Sequence, residues 1–262
     1  MLQYIELILI GLGVGTYASL VGVGGGIALV PILLLLYRHT PQSATGISLA
    51  VIIFNAASAS ITYGRKKRID YRTGLYFASG SIPGAILGAS VVVYIPQHIF
   101  SSVFGLILIS LALFILLEPE KRLEKEPPNG NNERENERLL VRHRGLGIPC
   151  GLFIGFIASL LGIGGGIIYV PVLIYLLNFT VQRAVATSLF IIAIMALGGA
   201  ATHLLNGVYV GYVHVIGLLA LGIIIGAQCG AKLSDILKAR LIIRLFALAL
   251  LAAGVKLITE IV

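Results

Sequence analysis

One stretch of this chain occurs twice. Residues Leu20 to Pro31 read LVGVGGGIALVP, and residues Leu160 to Pro171 read LLGIGGGIIYVP. Ten of the fourteen positions from Ala18 to Pro31 are identical 140 residues later. Three consecutive glycines inside an apolar run disfavour a helix, because each costs about 1 kcal/mol relative to alanine. The duplicated motif therefore predicts a backbone that opens at the same point in two related halves.

The surroundings of the motif indicate a membrane. Hydrophobic residues make up 58% and charged residues 11% of the 262 positions, and the mean hydropathy is +0.99. This composition predicts an all-α protein that crosses the cell membrane several times and contacts the lipid bilayer. The net charge is +8, and the basic residues lie in loops beside apolar spans. This placement is typical of residues that orient a protein in the membrane, and it does not indicate nucleic-acid binding. The two cysteines, Cys150 and Cys229, lack CxxC spacing and are predicted to be small core residues, with no metal site and no cofactor.

Each half has the same order of segments. A glycine-broken segment comes first, and three apolar spans follow it. After the first glycines, Ile27 to Tyr37 would extend only about 17 Å as a helix, against a hydrocarbon core of about 30 Å. This piece either completes a broken crossing or returns as one arm of a re-entrant hairpin. The predicted division is a transmembrane repeat over 1–117, a charged linker over 118–144 and a second transmembrane repeat over 145–262.

Loop charges predict that the two repeats are inverted. The loop from Gly64 to Arg72 carries five Lys/Arg, whereas its counterpart from Leu205 to Gly211 carries none. The bias is reversed after the next span, because residues 95–100 carry none and their counterparts at 232–244 carry four. Under the positive-inside rule the equivalent loops lie on opposite sides. Inversion requires an odd number of crossings per half, so we expect three transmembrane helices plus one re-entrant hairpin, with the linker in the cytoplasm and both termini outside.

An opened backbone in lipid predicts a binding site at the repeat interface. The alternative is that the glycines serve close helix packing alone. A helix that begins after each glycine run presents free N–H groups and the positive end of its dipole, which favours an anion. No Lys or Arg lies in the middle of a span, so backbone amides and uncharged polar side chains must provide the attraction. The predicted substrate-binding residues are Gly24, Gly25, Gly26, Ile27, Ser48 and Asn55 in the first half and Gly164, Gly165, Gly166, Ile167, Thr187, Ser188 and Gln228 in the second.

The paired GxGGGxxxxP segments, the Ala44/Ser48 and Ala184/Ser188 pairs and the glycine-rich third spans resemble the TauE/SafE family of sulfite exporters. The resemblance covers essentially the whole chain. It implies a plasma-membrane carrier for small sulfur-containing anions such as sulfite, sulfonates or sulfoacetate. The expected partners are therefore a small anionic substrate and lipid, and a homodimer is one assembly that the sequence leaves open.

Two other classes of function remain as alternatives. A passive anion channel would use the same helix ends as a filter. An intramembrane enzyme would need a serine and a base within hydrogen-bond reach, for which Ser79 and His203 are the candidates. Otherwise we interpret His203 as an interfacial anchor, with substrate or proton binding as its alternative role. The leading hypothesis is a carrier with alternating access and no catalytic residues.

Overall fold

The computed structural model describes residues 2–117, 133–234 and 240–259. Every regular element in these ranges is helical, which confirms the predicted all-α class. The elements in chain order are α1 (Leu2–Val21), α2 (Gly26–Leu35), α3 (Pro41–Arg65), α4 (Tyr71–Val91), a short 3-10 turn (Val92–Tyr94), α5 (Gln97–Leu117), α6 (Glu133–Leu161), α7 (Gly166–Leu177), α8 (Val181–Leu205), α9 (Val213–Leu233) and α10 (Arg240–Thr259).

Five helices in the described ranges are long and apolar enough to cross a membrane by length and composition. They are α1, α3, α4, α8 and α9, and they confirm the prediction of a multi-pass membrane protein. α3 and α8 begin alike, because the hydroxyls of Thr40 and Thr180 accept hydrogen bonds from the N–H groups of Ser43 and Arg183. α6 begins at Glu133, inside the segment predicted as a linker, and residues 118–132 lie outside the described ranges.

Two rows of glycines join the halves. In each row, three glycines at four-residue spacing lie so close to a helix of the other half that a Cβ atom would collide with a backbone carbonyl oxygen. The rows are Gly80, Gly84 and Gly88 of α4, which face α6, and Gly222, Gly226 and Gly230 of α9, which face α1. Small residues of this kind let helix backbones approach closely where lipid provides no hydrophobic drive for association. The first helix of each half therefore packs on the other half.

Equivalent helices of the two halves run in opposite directions where they touch. Gly46 of α3 contacts His203 of α8, and Leu49 lies beside Gly199, so residue numbers rise along one helix as they fall along the other. In contrast, α1 and α9 run parallel, because the numbers rise together from Ile8 beside Gly222 to Thr16 beside Gly230. The α3–α8 pair forms the centre of the bundle.

The two cysteines differ in their surroundings. Cys150 on α6 is partly buried, whereas Cys229 on α9 is exposed. The prediction that both are core residues is therefore wrong for Cys229, because the buried face of α9 at this level consists of its glycines and alanines.

Candidate functional site

Each repeated motif forms a turn between two helices. Gly22, Gly24 and Gly25 connect α1 to α2 with φ angles of 82°, 88° and 95°. Their counterparts Gly162, Gly164 and Gly165 connect α6 to α7 with φ angles of 68°, 80° and 79°. Side chains rarely adopt positive φ, so this geometry explains why the motif keeps glycine at these positions. We call residues 22–26 the first glycine turn and residues 162–166 the second glycine turn.

The two glycine turns are in direct contact. A Cβ atom on Gly26 would collide with the carbonyl oxygen of Gly162, and a Cβ atom on Gly166 would collide with the carbonyl oxygen of Gly22. A Cβ atom on Gly24 would lie 3.8 Å from Cα of Gly164. The glycines therefore serve close packing as well as turn geometry, and the first residues of α2 and α7 lie beside each other.

The contact lies at the middle of the central helix pair. Ile52 is the twelfth residue of the 25-residue α3, and Ile192 is the twelfth residue of the 25-residue α8. The side chain of Ile52 faces Gly26 and Gly164, and the side chain of Ile192 faces Gly24. Both isoleucines are fully buried. The two glycine turns thus meet at half the height of α3 and α8, in an apolar setting.

Backbone N–H groups are concentrated at this contact. The glycines that precede α2 and α7, Gly25 and Gly165, have no side-chain cap. The first amides that bond to these glycines' carbonyl oxygens are those of Ala28 and Ile168. In the described part of the chain, the N–H groups of residues 24–27 and 164–167 have no backbone acceptor. Two helix N-termini, each with a partial positive charge, therefore present up to eight donors in one small region.

Two predicted serines, one on each central helix, form hydrogen bonds to the glycine turns. Ser48 Oγ donates a 2.7 Å hydrogen bond to the carbonyl oxygen of Gly162. Ser188 Oγ lies 3.0 Å from the carbonyl oxygen of Gly22 and 2.9 Å from that of Val185, so its single proton is shared. Each central helix therefore binds the glycine turn that belongs to the other half.

Asn55, also a predicted residue, belongs to a buried hydrogen-bonded chain in the first half. Its Nδ2 donates to the carbonyl oxygen of Gly24 at 3.2 Å, and its Oδ1 accepts from Ser19 Oγ at 3.0 Å. The hydroxyl of Tyr63 donates to the carbonyl oxygen of Ser19 at 2.9 Å. Ser19 and Tyr63 were not predicted from the sequence. The only signal for Ser19 was its place among the repeated positions, as the counterpart of Ser159.

Two predicted residues lie away from the turns' contact. Thr187 Oγ1 accepts a 3.1 Å hydrogen bond from the backbone N–H of Asp70, whose carboxylate pairs with Arg183 at 2.8 Å. Gln228 is exposed on α9. The structure therefore does not bring these two side chains to the region that contains the glycines, Ser48, Asn55 and Ser188.

His203 is fully buried, with an exposed fraction of 0%. The interpretation as an interfacial anchor is therefore wrong, because neighbouring helices enclose the ring. Within the described residues neither ring nitrogen has a hydrogen-bond partner. Ser79 is exposed and its hydroxyl donates to the carbonyl oxygen of Tyr76 at 2.8 Å, so these two residues do not form a nucleophile–base pair.

Comparisons with known proteins identify relatives along nearly the whole chain. The family profile described as sulfite exporter TauE/SafE matches residues 7–257. The probable membrane transporter protein YunE of Bacillus subtilis is 34% identical, over 99% of this chain and 98% of that protein. The probable membrane transporter protein YjnA of the same organism is 31% identical, over 97% and 99%. MJ0441 of Methanocaldococcus jannaschii, with the same description, is 28% identical over 87% and 85%. No solved structure matches the chain.

Proposed function

The chain belongs to the sulfite exporter TauE/SafE family, and on that premise we propose that it is a secondary carrier for small sulfur-containing anions. It is a multi-pass membrane transporter and not an enzyme, as the family and the relatives indicate. The substrates in question are sulfite and short organic sulfonates, held at the contact between the two glycine turns.

One observation carries this proposal: two helix N-termini meet at the middle of the bundle, and their first N–H groups have no backbone acceptor among the described residues. Each terminus favours a negative charge by about 0.3–2 kcal/mol. The middle of α3 and of α8 contains no Lys or Arg, so a ligand there is recognised by hydrogen bonds and not by an ion pair. A compact oxyanion accepts several hydrogen bonds at once, which suits this arrangement of donors. A cation of similar size would meet the wrong end of both dipoles.

The same contacts support the proposed topology of two inverted repeats. α3 and α8 are equivalent helices and run antiparallel, as inverted halves require. α1 runs parallel to α9, so its beginning lies near Tyr212, the residue before α9. The ring of His39, four residues after α2 ends, lies 4.9 Å from the ring of Tyr212. α1 would thus begin and α2 would end on one side of the bundle, which is the geometry of a re-entrant hairpin.

We further propose that transport alternates the access to this region. The glycine turns are packed against each other, and Ser48 and Ser188 bind them across the halves. An anion reaches the N–H groups only when one turn moves away from its serine. Because each serine holds the turn of the other half, each turn has its own contact to break, and the two sides open separately.

The direct test is transport by purified protein in liposomes. Radiolabelled sulfite and a short sulfonate should enter with saturable rates, and unlabelled anion on the opposite side should accelerate the exchange. Competition binding at a mildly acidic pH, where sulfite is mostly the monoanion hydrogen sulfite, should rank sulfite and the sulfonate above sulfate, because desolvating a dianion costs more than desolvating a monoanion. Chloride should compete weakly and a small organic cation should not compete. Unsaturable flux without exchange would indicate a channel, and binding of the cation alone would refute the proposed site.

A further inference from the structure

The two halves differ in one buried hydrogen-bonded chain. In the first half, Tyr63, Ser19 and Asn55 link α3 to the first glycine turn, and each of their polar groups in this chain has a partner. At the positions 140 residues later the second half has His203, Ser159 and Met195. The tyrosine and the asparagine have thus been replaced, whereas the serine has been kept.

The replacements leave polar atoms without partners in the second half. Ser159 and His203 both have an exposed fraction of 0%. Within the described residues, Ser159 Oγ and both ring nitrogens of His203 have no hydrogen-bond partner. A buried polar group without a partner costs about 1–3 kcal/mol. Ser159 packs against Gly199, one turn of α8 before His203, so we interpret these unpartnered atoms as parts of one buried site that takes a ligand.

The two side chains lie along one helix face. A Cβ atom on Gly199 would lie close to Ser159, at 2.6 Å from Oγ, and His203 follows Gly199 by one turn of α8. The imidazole is shorter than the phenol at the equivalent position, so it does not span the distance that Tyr63 spans to Ser19. On its other side the ring faces Gly46, where an added Cβ atom would lie 3.2 Å from Nδ1. Because residue 46 is glycine and has no side chain, the imidazole ring of His203 has space beside it.

The segments around His203 contain no other charged side chain. Residues 41–64 of α3, 145–161 of α6 and 184–212 after Arg183 contain no Asp, Glu, Lys or Arg. Tyr209, in the loop after α8, is a titratable group beside the same glycine, because its hydroxyl donates to the carbonyl oxygen of Gly46 at 3.2 Å. α6 contributes Ser159 and, more than two turns away, Cys150. Among these segments His203 is the only side chain that becomes cationic when it binds a proton.

We propose that His203, together with Ser159, is the proton-binding site that couples this carrier to the proton gradient, an inference that rests on the proposed anion transport. A proton from water binds one ring nitrogen of His203, which lies one turn of α8 beyond Gly199, the residue against which Ser159 packs. A monoanion at the glycine turns and one proton at His203 then move as a neutral pair, which lowers the cost of carrying charge through the membrane.

The connection to the glycine turn runs through the backbone. The carbonyl oxygen of Ser159 accepts the N–H of Gly162 at 3.1 Å, so Ser159 lies at the base of the second glycine turn. His203 is eleven residues from Ile192, about 16 Å along α8 from the contact between the turns. Proton and anion therefore do not touch. Protonation of His203 instead changes the polar surroundings of Ser159, at the base of the second glycine turn, and so affects how readily that turn moves.

The test follows protons and anions together in proteoliposomes. The probe is a short alkyl sulfonate, because its charge is fixed across the pH range and its own protonation cannot mimic coupling. With the wild-type protein, sulfonate entry should carry protons inwards, as reported by a pH-sensitive dye in the lumen. His203→Gln should lose the proton movement. His203→Tyr, which restores the residue type of the first half and should fold well, should lose it too, whereas His98→Gln on the exposed start of α5 should keep it.

A second measurement reports the site without transport. Ring-¹⁵N-labelled histidine gives one signal that is missing in His203→Gln, and adding sulfonate to the wild-type protein should convert this signal from neutral imidazole towards imidazolium. Sulfonate transport without proton movement, or proton movement that persists in both His203 variants, would refute the coupling site and leave the carrier proposal intact. Absence of transport for every sulfur anion would refute both proposals.

Discussion

The hydroxyl of Ser48 in α3 donates a 2.7 Å hydrogen bond to the carbonyl oxygen of Gly162, 114 residues further along the chain. It joins the centre of one half to the glycine turn of the other. The equivalent bond from Ser188 to Gly22 is longer, at 3.0 Å, and competes with Val185 for one proton. The two glycine turns are therefore held with unequal strength, although the motifs that form them are nearly identical.

Replacing Ser48 with alanine should impair the protein more than replacing Ser188. Ser48→Ala removes an unshared hydrogen bond, worth about 0.5–2 kcal/mol between helices in a membrane. Ser188→Ala removes a shared one and should cost less. Thermal unfolding in detergent and sulfonate exchange in liposomes measure the two effects. Ser90→Ala is the control, because Ser90 is only partly buried and its hydroxyl donates within its own helix, to the carbonyl oxygen of Ile86. Equal effects of all three substitutions would contradict the assigned role of the serines.

A single methyl group at the contact between the glycine turns should abolish sulfonate binding. A Cβ atom at Gly26 or Gly166 has no space, because a carbonyl oxygen of the other turn occupies it. The turns would have to separate, and overpacking of this kind costs about 1–3 kcal/mol. Gly13→Ala is the matched control, since an added Cβ atom there would have no atom of the described residues within 4 Å. Binding of a labelled sulfonate, measured on folded protein selected by size-exclusion chromatography, is the readout. Unchanged affinity in Gly26→Ala would show that the turns do not form the site.

The ion pair between Asp70 and Arg183 should contribute little to stability, whereas Asp70 itself should matter. The arginine side chain is 36% exposed, so solvent screens the pair and we expect a coupling of about 0.2–1 kcal/mol. Asp70 also caps α4, because its Oδ1 accepts from the N–H of Thr73 at 3.0 Å. Asp70→Asn keeps the cap and loses the charge, whereas Asp70→Ala loses both. Thermal unfolding should show the largest loss of stability for Asp70→Ala, and similar, smaller losses for Asp70→Asn and Arg183→Gln. A double-mutant cycle of the last two variants measures the coupling energy of the ion pair.

The repeat made much of the central region predictable. Two copies of a motif that break at the same residue, with serines in register, predicted that Ser48 and Ser188 share a binding site with the glycines. Their hydroxyls do lie at the glycine turns, and contact with a ligand stays a prediction. The sequence did not reveal that their hydroxyls bind backbone carbonyl oxygens of the opposite half. That depends on antiparallel packing of α3 on α8, which no local pattern encodes.

Positions outside the motif also depend on helix contacts that the local sequence does not predict. Gly105 lies in an ordinary apolar span, and its sequence context suggests a neutral position. In the structure a Cβ atom on Gly105 would lie 2.9 Å from the carbonyl oxygen of Gly254, because α5 crosses α10 there. Gln228 shows the opposite case, since its position in an apolar span suggested an inward role and its side chain is exposed. Contacts between distant helices decide both outcomes, and they are not visible in the residues that flank each position.

The membrane orientation can be tested by cysteine labelling from outside the cell. The exchange of loop charges between the halves predicts that the linker is cytoplasmic and that the loop after α8 is external. Gly130→Cys should therefore resist an impermeant maleimide, and Val210→Cys, at a position that is 83% exposed, should react. Val210 is preferable to its neighbour Gly207, whose φ of 70° disfavours a side chain. Both native cysteines must first be replaced, because Cys229 is exposed.

Each labelling pattern has a distinct physical meaning. Labelling at position 130 alone would place the five basic residues of the loop from Gly64 to Arg72 outside, and the charge rule would then fail for the whole chain. Labelling at both positions would put the linker and the loop after α8 on one side, as four full crossings per half would do. Parallel halves would point α2 and α7 in the same direction across the membrane, so their N-termini could not converge on one anion. Labelling at position 210 alone is therefore the result that the proposed site requires.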